Sequence, residues 1–212
     1  MERRTIEIAS RRNDRIKIGI IPGHFATNHS HVNYYVDVGS IKRRYKMAKE
    51  AAKDFSLDYA DTPVDTIICL EDTQVIGAFL AEQLSESSRH SVNAGHEINV
   101  ITPELNSNNQ MIFRDNTQNM IWNKNVLLLI SSASTGWTIG RCIECLTYYS
   151  GNLVGVASLF SAIEGTNGIT IKTLFHNEDL PDYTTSLPSD CPMCRDKKKV
   201  DAIINDHGYS KI

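Results

Sequence analysis

The chain has 212 residues and a formal net charge of −3, and 41% of its residues are hydrophobic and 22% charged. These values are typical of a globular protein with one large domain, or one domain with a small appendage. The slight negative charge gives no reason to expect nucleic-acid binding, and no apolar run reaches the roughly 20 residues of a membrane span. Since residues 1–19 lack the apolar core of a signal peptide, we expect a cytoplasmic protein. Five cysteines, an odd number, favour reduced thiols or a metal over a disulfide framework.

The basic N-terminal residues 1–22 predict a solvated arm or a helix, with a partner-binding basic patch as the alternative. Their cationic side chains are Arg3, Arg4, Arg11, Arg12, Arg15 and Lys17. Residues 23–37 combine three His, two Asn and two Tyr with turn-forming residues at the start. Such a stretch is unfavourable for a helix and predicts a polar surface hairpin with its tyrosines packed inward.

Residues 41–55 are rich in Ala, Lys, Glu and Arg and place apolar residues on one face, which predicts an amphipathic helix. Residues 64–70 then predict a buried strand, and residues 76–84 predict the helix that packs behind it. The turn between them is Glu71, Asp72, Thr73 and Gln74. Its two carboxylates are candidate oxygen ligands for a divalent ion. The alternative is an exposed acidic turn beside a helix N-terminus, where negative charge is favourable.

The second half of the chain supplies the remaining elements. Residues 97–102 predict a third strand, and the Asn- and Gln-rich residues 103–125 predict an active-site lid or a long surface hairpin. Residues 153–160 and 169–175 predict two more strands, the second an edge or final strand. Strands that alternate with helices or helix-sized gaps predict an α/β fold with a mostly parallel central sheet flanked by helices.

The chain is organised around a strand, a turn and a helix. Residues 126–130 form an unbroken apolar run, as in a strand that is buried on both faces. Small hydroxyl residues and a glycine follow at 131–136, and Ile139, Ile143 and Leu146 then return at helical spacing. This order directs free backbone N–H groups and the positive end of a helix at an anion, usually a phosphate.

The C-terminal segment carries a Cys-Pro-x-Cys motif formed by Cys191 and Cys194, which has the spacing of a zinc knuckle. One knuckle supplies two ligands, so Zn²⁺ binding needs two more. The candidates are His176, His207, or the pair Cys142 and Cys145. The alternative is a set of reduced, packed thiols without metal.

Two segments resemble known motifs. Ser134-Thr135-Gly136-Trp137-Thr138 resembles the phosphoribosyl-diphosphate (PRPP) loop of type I phosphoribosyltransferases, with Trp137 in place of the second glycine. Residues 23–37 resemble the N-terminal signature of orotate phosphoribosyltransferases. The matching residues there are Gly23, His24, Phe25, Tyr34, Tyr35 and Asp37. Some orotate-type enzymes also end in a Cys-Pro-x-Cys segment, so that motif belongs to the resemblance as well.

The resemblance implies a function for each part of the chain. Residues 1–40 would form an arm and a hood hairpin, 41–180 the phosphoribosyltransferase-like core, and 181–212 the tail. The hood would cover a nucleobase with Phe25, Tyr34 and Tyr35. The 5′-phosphate seat would comprise Ser132, Ala133, Ser134, Thr135, Gly136, Trp137 and Thr138, and the diphosphate-loop equivalent would comprise Glu71, Asp72, Thr73 and Gln74. The implied ligands are PRPP or a nucleotide with Mg²⁺, and the implied oligomer is a homodimer.

Four loops depart from the family pattern. Ile130 and Ser131 replace an acidic pair, and Thr73 and Gln74 replace glycines of the diphosphate loop. Residues 103–125 offer only Arg114 and Lys124 where the orotate enzymes have a basic lid, and Ser161 and Ala162 replace an Asp-Arg carboxylate clamp. Since one lost electrostatic partner commonly costs about 100-fold in rate, these departures favour a nucleotide- or phosphosugar-binding sensor or assembly protein over an ordinary orotate phosphoribosyltransferase. A purely structural protein, with Trp137 filling the phosphate seat, is the third hypothesis.

Overall fold

The computed structural model describes residues 2–86, 90–106, 110–180, 182–205 and 207–212. The strands of the first half are β1 (Ile6–Ala9), β2 (Lys17–Ala26), β3 (His31–Asp37), β4 (Thr66–Cys69), β5 (Asn99–Ile101), β6 (Glu104–Leu105) and β7 (Met111–Ile112). Those of the second half are β8 (Asn125–Ala133), β9 (Asn152–Ser161), β10 (Gly165–Thr166), β11 (Ile169–His176), β12 (Thr185–Ser186), β13 (Ala202–Asn205) and β14 (Gly208–Lys211). The α-helices are α1 (Gly39–Arg43), α2 (Tyr45–Asp58), α3 (Gln74–Ser85), α4 (Asp115–Gln118), α5 (Trp137–Tyr148) and α6 (Pro192–Arg195).

The central sheet has the strand order β10-β11-β9-β8-β4-β5 within the described residues. The strands from β11 to β5 are all parallel, and the short β10 pairs antiparallel with β11. The carboxyl ends of β4, β8 and β9 therefore meet at one edge, where ligands bind in open α/β sheets. The predicted α/β fold with a mostly parallel sheet is confirmed.

Strand β8 is the centre of the hydrophobic core. Successive side chains of a strand point to opposite faces, and here both faces are covered. Leu127 and Leu129 pack into a cluster with α2 and α3, while Val126, Leu128 and Ile130 pack into a cluster with α5. Burial on both sides explains why the run is apolar without alternation.

A second sheet, which we call the hood, lies over the helices and the sheet edge. Its order is β12-β3-β2-β13-β14, with β1 also paired to β2. Strands β2 and β3 form an antiparallel hairpin, as predicted for residues 23–37. Ile18 and Ile20 of β2 are buried in the same cluster as α2 and α3, so the hood is anchored to the core.

Several sequence predictions need correction. Residues 1–22 were predicted as an arm or a helix, but they contribute β1 and the start of β2, because Ile6, Ile8, Ile18 and Ile20 pair across these strands. The single helix predicted at 41–55 is divided into α1 and α2 at Arg44, which has an extended backbone. Among the described residues, no helix combines the length and apolar character needed to cross a membrane.

The segment predicted as a lid or surface hairpin begins as a hairpin. Strands β6 and β7 pair antiparallel, and α4 follows them. Residues 107–109 of this segment lie outside the described part. Arg114 donates from Nε to the Glu104 carboxylate at 3.0 Å across the base of the hairpin, so its charge is paired there.

Candidate functional site

A cavity of about 760 Å³ lies between the hood and the carboxyl edge of the central sheet. Its floor is formed by the turns that follow β4 and β8. The hood contributes the β2–β3 turn and the β13–β14 hairpin to its walls, and the β6–β7 hairpin lines another side. Its volume lies within the range that is usual for small-molecule sites.

The turn after β8 leaves several backbone donors without a protein acceptor. Gly136 adopts a φ of +77°, and α5 begins at the next residue. A Cβ at Gly136 would lie 2.9 Å from the Thr166 side chain, so both the backbone conformation and the available space require glycine. Within the described ranges, the N–H groups of residues 134–139 donate no hydrogen bond to the protein. They face the cavity at the positive end of a 12-residue helix.

Trp137 does not fill the space in front of these N–H groups. Its side chain is 47% exposed, and its ring lies 5.2 Å from the His29 ring of the hood turn. The Arg141 guanidinium, one turn further along α5, lies 5.0 Å from the same indole. The cavity keeps its volume with the indole present, so the turn remains accessible.

The turn after β4 directs a carboxylate at β8. Glu71 Oε2 accepts hydrogen bonds from the backbone N–H groups of Ser131, at 2.9 Å, and Ser132, at 3.1 Å. Glu71 and Asp72 have φ values of 58° and 63°, a left-handed backbone conformation that residues other than glycine rarely adopt. The buried Lys42 supports the turn, because its Nζ donates to the Glu71 carbonyl at 2.8 Å.

The other residues of this turn have different surroundings. The Asp72 carboxylate lies 3.0 Å from Nδ1 of His207, which belongs to the segment between β13 and β14. Gln74 lines the cavity. Thr73 does not, because its side chain is fully buried and its hydroxyl donates to the carbonyls of Leu70 and Leu129. Thr73 therefore connects β4 to β8 and does not face a ligand.

Of the three aromatic residues expected over a base, two line the cavity and one does not. Tyr34 and Tyr35 line the cavity. Phe25 is fully buried in the hood's own cluster with Val32 and Ala202 and does not line it. Burial and the nearby Asp37 raise the pKa of Tyr35 to about 12, so its phenol remains protonated at neutral pH.

The loop after β9, where Ser161 and Ala162 replace the Asp-Arg pair, is closed by its own hydrogen bond. The Ser161 hydroxyl donates to the Ile163 carbonyl at 2.6 Å and closes the turn after β9. Arg43 and Arg141 are cationic residues that line the cavity. Arg43 comes from α1 and donates to the His207 carbonyl at 3.2 Å, which ties the β13–β14 hairpin to the helical layer.

Four of the five cysteines form two separate groups, and the fifth, Cys69, is buried at the end of β4. Cys142 and Cys145 lie on α5, where burial raises the pKa of Cys142 to about 12 and that of Cys145 to about 11. Cys191 and Cys194 instead lie beside His24 and His31 of the hood hairpin. None of the partners expected to complete the motif joins that group, since His207 contacts Asp72 and His176 is exposed at the end of β11.

Known proteins resemble this fold, although no family model and no curated protein matches the sequence. UMP synthase from Leishmania donovani superposes with a TM-score of 0.56 and 13% identity, over 76% of this chain and 34% of that one. The chain thus spans about a third of the length of that protein. A phosphoribosyltransferase from Corynebacterium diphtheriae gives a TM-score of 0.53 and 17% identity, over 76% and 90% of the two chains. The chain has the fold of the type I phosphoribosyltransferases.

A third structure carries a phosphate. Orotate phosphoribosyltransferase of Mycobacterium tuberculosis H37Rv, in complex with inorganic phosphate, superposes with a TM-score of 0.51 and 13% identity, over 70% of this chain and 80% of that chain. Identities this low show the fold alone. The function must therefore be argued from the residues of this site.

Proposed function

We propose that this protein is a phosphoribosyltransferase-like protein that binds the 5′-phosphate of PRPP or of a nucleotide in the turn at residues 134–138. The observation that carries the proposal is the set of backbone N–H groups that donate to no acceptor in the described protein at the start of α5. Free amides at the start of a helix that face a cavity bind an acceptor, either water or an anion. A phosphate monoester supplies three oxygens and is favoured by the helix dipole.

The nominal reaction of such a protein is transfer of ribose 5-phosphate from PRPP to a nucleobase. In this chain the turn would hold the 5′-phosphate, and Tyr34 and Tyr35 would lie against the base. The Asp72 carboxylate is an oxygen group that suits Mg²⁺, which would neutralise charge on a bound diphosphate. Glu71 is less suited to that role, because one of its oxygens already accepts two backbone hydrogen bonds.

Binding without group transfer is the second candidate, and the argument for it starts from the position of Glu71. A diphosphate placed beside the turn after β4 would lie near the Glu71 and Asp72 carboxylates. A pair of like charges about 5 Å apart repel by roughly 3 kcal/mol at an effective dielectric constant near 20. A nucleoside monophosphate or a phosphosugar avoids that repulsion while it keeps the contacts with the turn at 134–138.

A thermal-shift panel separates these candidates. The ligands are PRPP, orotate, orotidine monophosphate and common nucleotides, each with and without Mg²⁺. We expect stabilisation by ligands that carry a phosphate monoester. Thr135→Asp should abolish it, because a carboxylate near the phosphate costs about 100-fold in affinity. Thr147→Asp, at the exposed far end of α5, is the matched control and should retain it.

Each outcome decides between the hypotheses. Diphosphate release from PRPP and a nucleobase at ordinary turnover would establish the transferase and reject the binding-only role. Stabilisation by nucleotides without turnover would support the binding role. No response to any phosphorylated ligand would reject both and favour a structural protein. We also propose that the protein is a cytoplasmic homodimer, as the resemblance implies. Light scattering on the purified chain would test the oligomeric state, and cell fractionation would test the location.

A further inference from the structure

Four side chains from two distant parts of the sequence converge at one end of the hood. His24 lies on β2 and His31 begins β3, while Cys191 immediately precedes α6 and Cys194 lies within it. One potential ligand atom from each lies within 4.8 Å of all the others. This group, which we call the Cys-His cluster, is separate from the Glu71 and Gly136 turns, and its two cysteines do not line the cavity.

The distances match the donor positions around a tetrahedral zinc ion. Zn–S bonds near 2.3 Å and Zn–N bonds near 2.05 Å place neighbouring sulfur and nitrogen donors about 3.5 Å apart, and two nitrogens about 3.3 Å apart. His24 Nε2 lies 3.6 Å from Cys191 Sγ and 3.7 Å from Cys194 Sγ. His31 Nδ1 lies 3.3 Å from Cys194 Sγ and 3.0 Å from His24 Nε2.

A hydrogen bond to the backbone fixes the tautomer of His24, one of the four proposed ligands. His24 Nδ1 lies 2.9 Å from the Lys198 carbonyl oxygen, which can only accept a hydrogen bond, so Nδ1 carries the proton. The lone pair of Nε2 is then directed into the cluster. A ligating histidine whose other nitrogen donates to a backbone carbonyl is the usual arrangement in zinc sites.

Access and rigidity also suit a bound ion. His24 and Cys191 are buried at 2% and 1% exposure, while Cys194 is exposed, so the cluster is held on one side and open on the other. The chain leaving the cluster is tied back to His24, because the Asp201 N–H donates to the His24 carbonyl at 2.7 Å and the His24 N–H donates to Asp201 Oδ2 at 2.9 Å. Beyond this point β13 pairs with β2.

We propose that His24, His31, Cys191 and Cys194 bind one zinc ion in a closed structural site that fastens the C-terminal segment to the hood hairpin. Four protein ligands leave no open position, so the site is structural and takes no part in catalysis. The ion would hold β13 and β14 in place, and with them His207 beside Asp72. This proposal does not depend on the proposed function.

Metal analysis of the full chain tests the site. We expect one equivalent of zinc in protein purified from zinc-supplied cells without chelators. Cys194→Ser and His31→Ala should each lose it. The matched controls are Cys145→Ser, on α5, and His29→Ala, the hood histidine that faces Trp137, and both should keep it. Wild-type protein without zinc, or zinc retained in both ligand variants, would overturn the proposal.

Cobalt substitution provides a test that does not require the variants to fold. Wild-type protein reconstituted with Co²⁺ should show the intense visible bands of a tetrahedral site together with thiolate charge-transfer absorption. Weak octahedral bands, or a disulfide between Cys191 and Cys194 in place of metal binding, would contradict the assignment. A chelator should lower the melting temperature of the wild type and leave that of Cys194→Ser unchanged.

Discussion

Glu71 Oε2 lies 2.9 Å from the backbone nitrogen of Ser131 and accepts its hydrogen bond. In the PRPP loop that this chain resembles, an acidic pair occupies the positions of Ile130 and Ser131. Here the neighbouring turn brings a carboxylate to the same end of β8. The negative charge is therefore present at the sheet edge, but it is held by backbone amides and comes from a different loop.

This relationship predicts how Glu71 affects ligand choice. Glu71→Gln keeps an acceptor for the Ser131 and Ser132 amides and removes the charge. We expect the affinity for PRPP to rise about 5-fold or more, because repulsion of the diphosphate is relieved, while the affinity for ribose 5-phosphate changes little. Isothermal titration with the two ligands measures this. Glu82→Gln, on the outer part of α3, is the control. A fall in PRPP affinity alone would show instead that Glu71 assists diphosphate binding.

Gly136 provides a second prediction. Gly136→Ala should reduce stability by about 1–2 kcal/mol, because an L residue is strained in the left-handed backbone conformation. It should also weaken phosphate binding at least about tenfold, because the new Cβ would clash with the Thr166 side chain and displace the turn. Gly168→Ala is a matched control, since Gly168 has the same φ of +77° and nothing within 4 Å of its Cβ position. Urea unfolding and ligand titration of both variants give the comparison. Unchanged ligand affinity in Gly136→Ala would contradict this role for the turn.

Asp54 predicts a pH dependence of stability. Burial raises the pKa of this carboxyl above its usual 3.8, although Arg12 acts in the opposite direction. A raised folded pKa gives stability that is complete below the unfolded value and is lost as pH rises through the folded value. Asp54→Asn should therefore gain stability relative to the wild type as pH rises through the folded pKa of Asp54, because the variant has no buried carboxyl to ionise. Urea unfolding on both sides of that pKa measures the difference.

The neighbouring carboxylate is the control for Asp54. Asp58 Oδ2 accepts a hydrogen bond from Arg12 Nη1 at 2.7 Å, so Asp58→Asn should lower stability at neutral pH. If Asp54→Asn also proves less stable than the wild type at neutral pH, with a deficit that shrinks in acid, then the attraction of Arg12 outweighs the cost of burying Asp54.

The core was predictable because its signal is local. Residues 126–130 are apolar without alternation, which is the pattern of a strand covered on both faces, so β8 was predictable as a buried strand. The turn at 134–138 was also readable, since Gly136 and the hydroxyl residues precede a helical spacing. Each inference used residues that are adjacent in sequence.

Features formed by segments that are distant in sequence could not be predicted from the local pattern. The arginines of residues 1–22 suggested a solvated arm, but Ile6 and Ile8 pair across to Ile20 and Ile18 to form strands. The sequence offered His176, His207 or the α5 cysteines as partners of Cys191 and Cys194, whereas the fold places the two cysteines beside His24 and His31. The two histidines that flank the β2–β3 turn were the available signal, and only the pairing of β2 with β13 shows that they lie near the tail.

The central claim is that backbone amides at the start of α5 bind a phosphate monoester, and an amide-resolved NMR titration with ribose 5-phosphate tests it most directly. We predict saturable shifts that are largest at residues 134–139 and that disappear in Thr135→Asp. Shifts centred elsewhere in the protein, or unchanged amides at 134–139 at saturating ligand, would contradict the account.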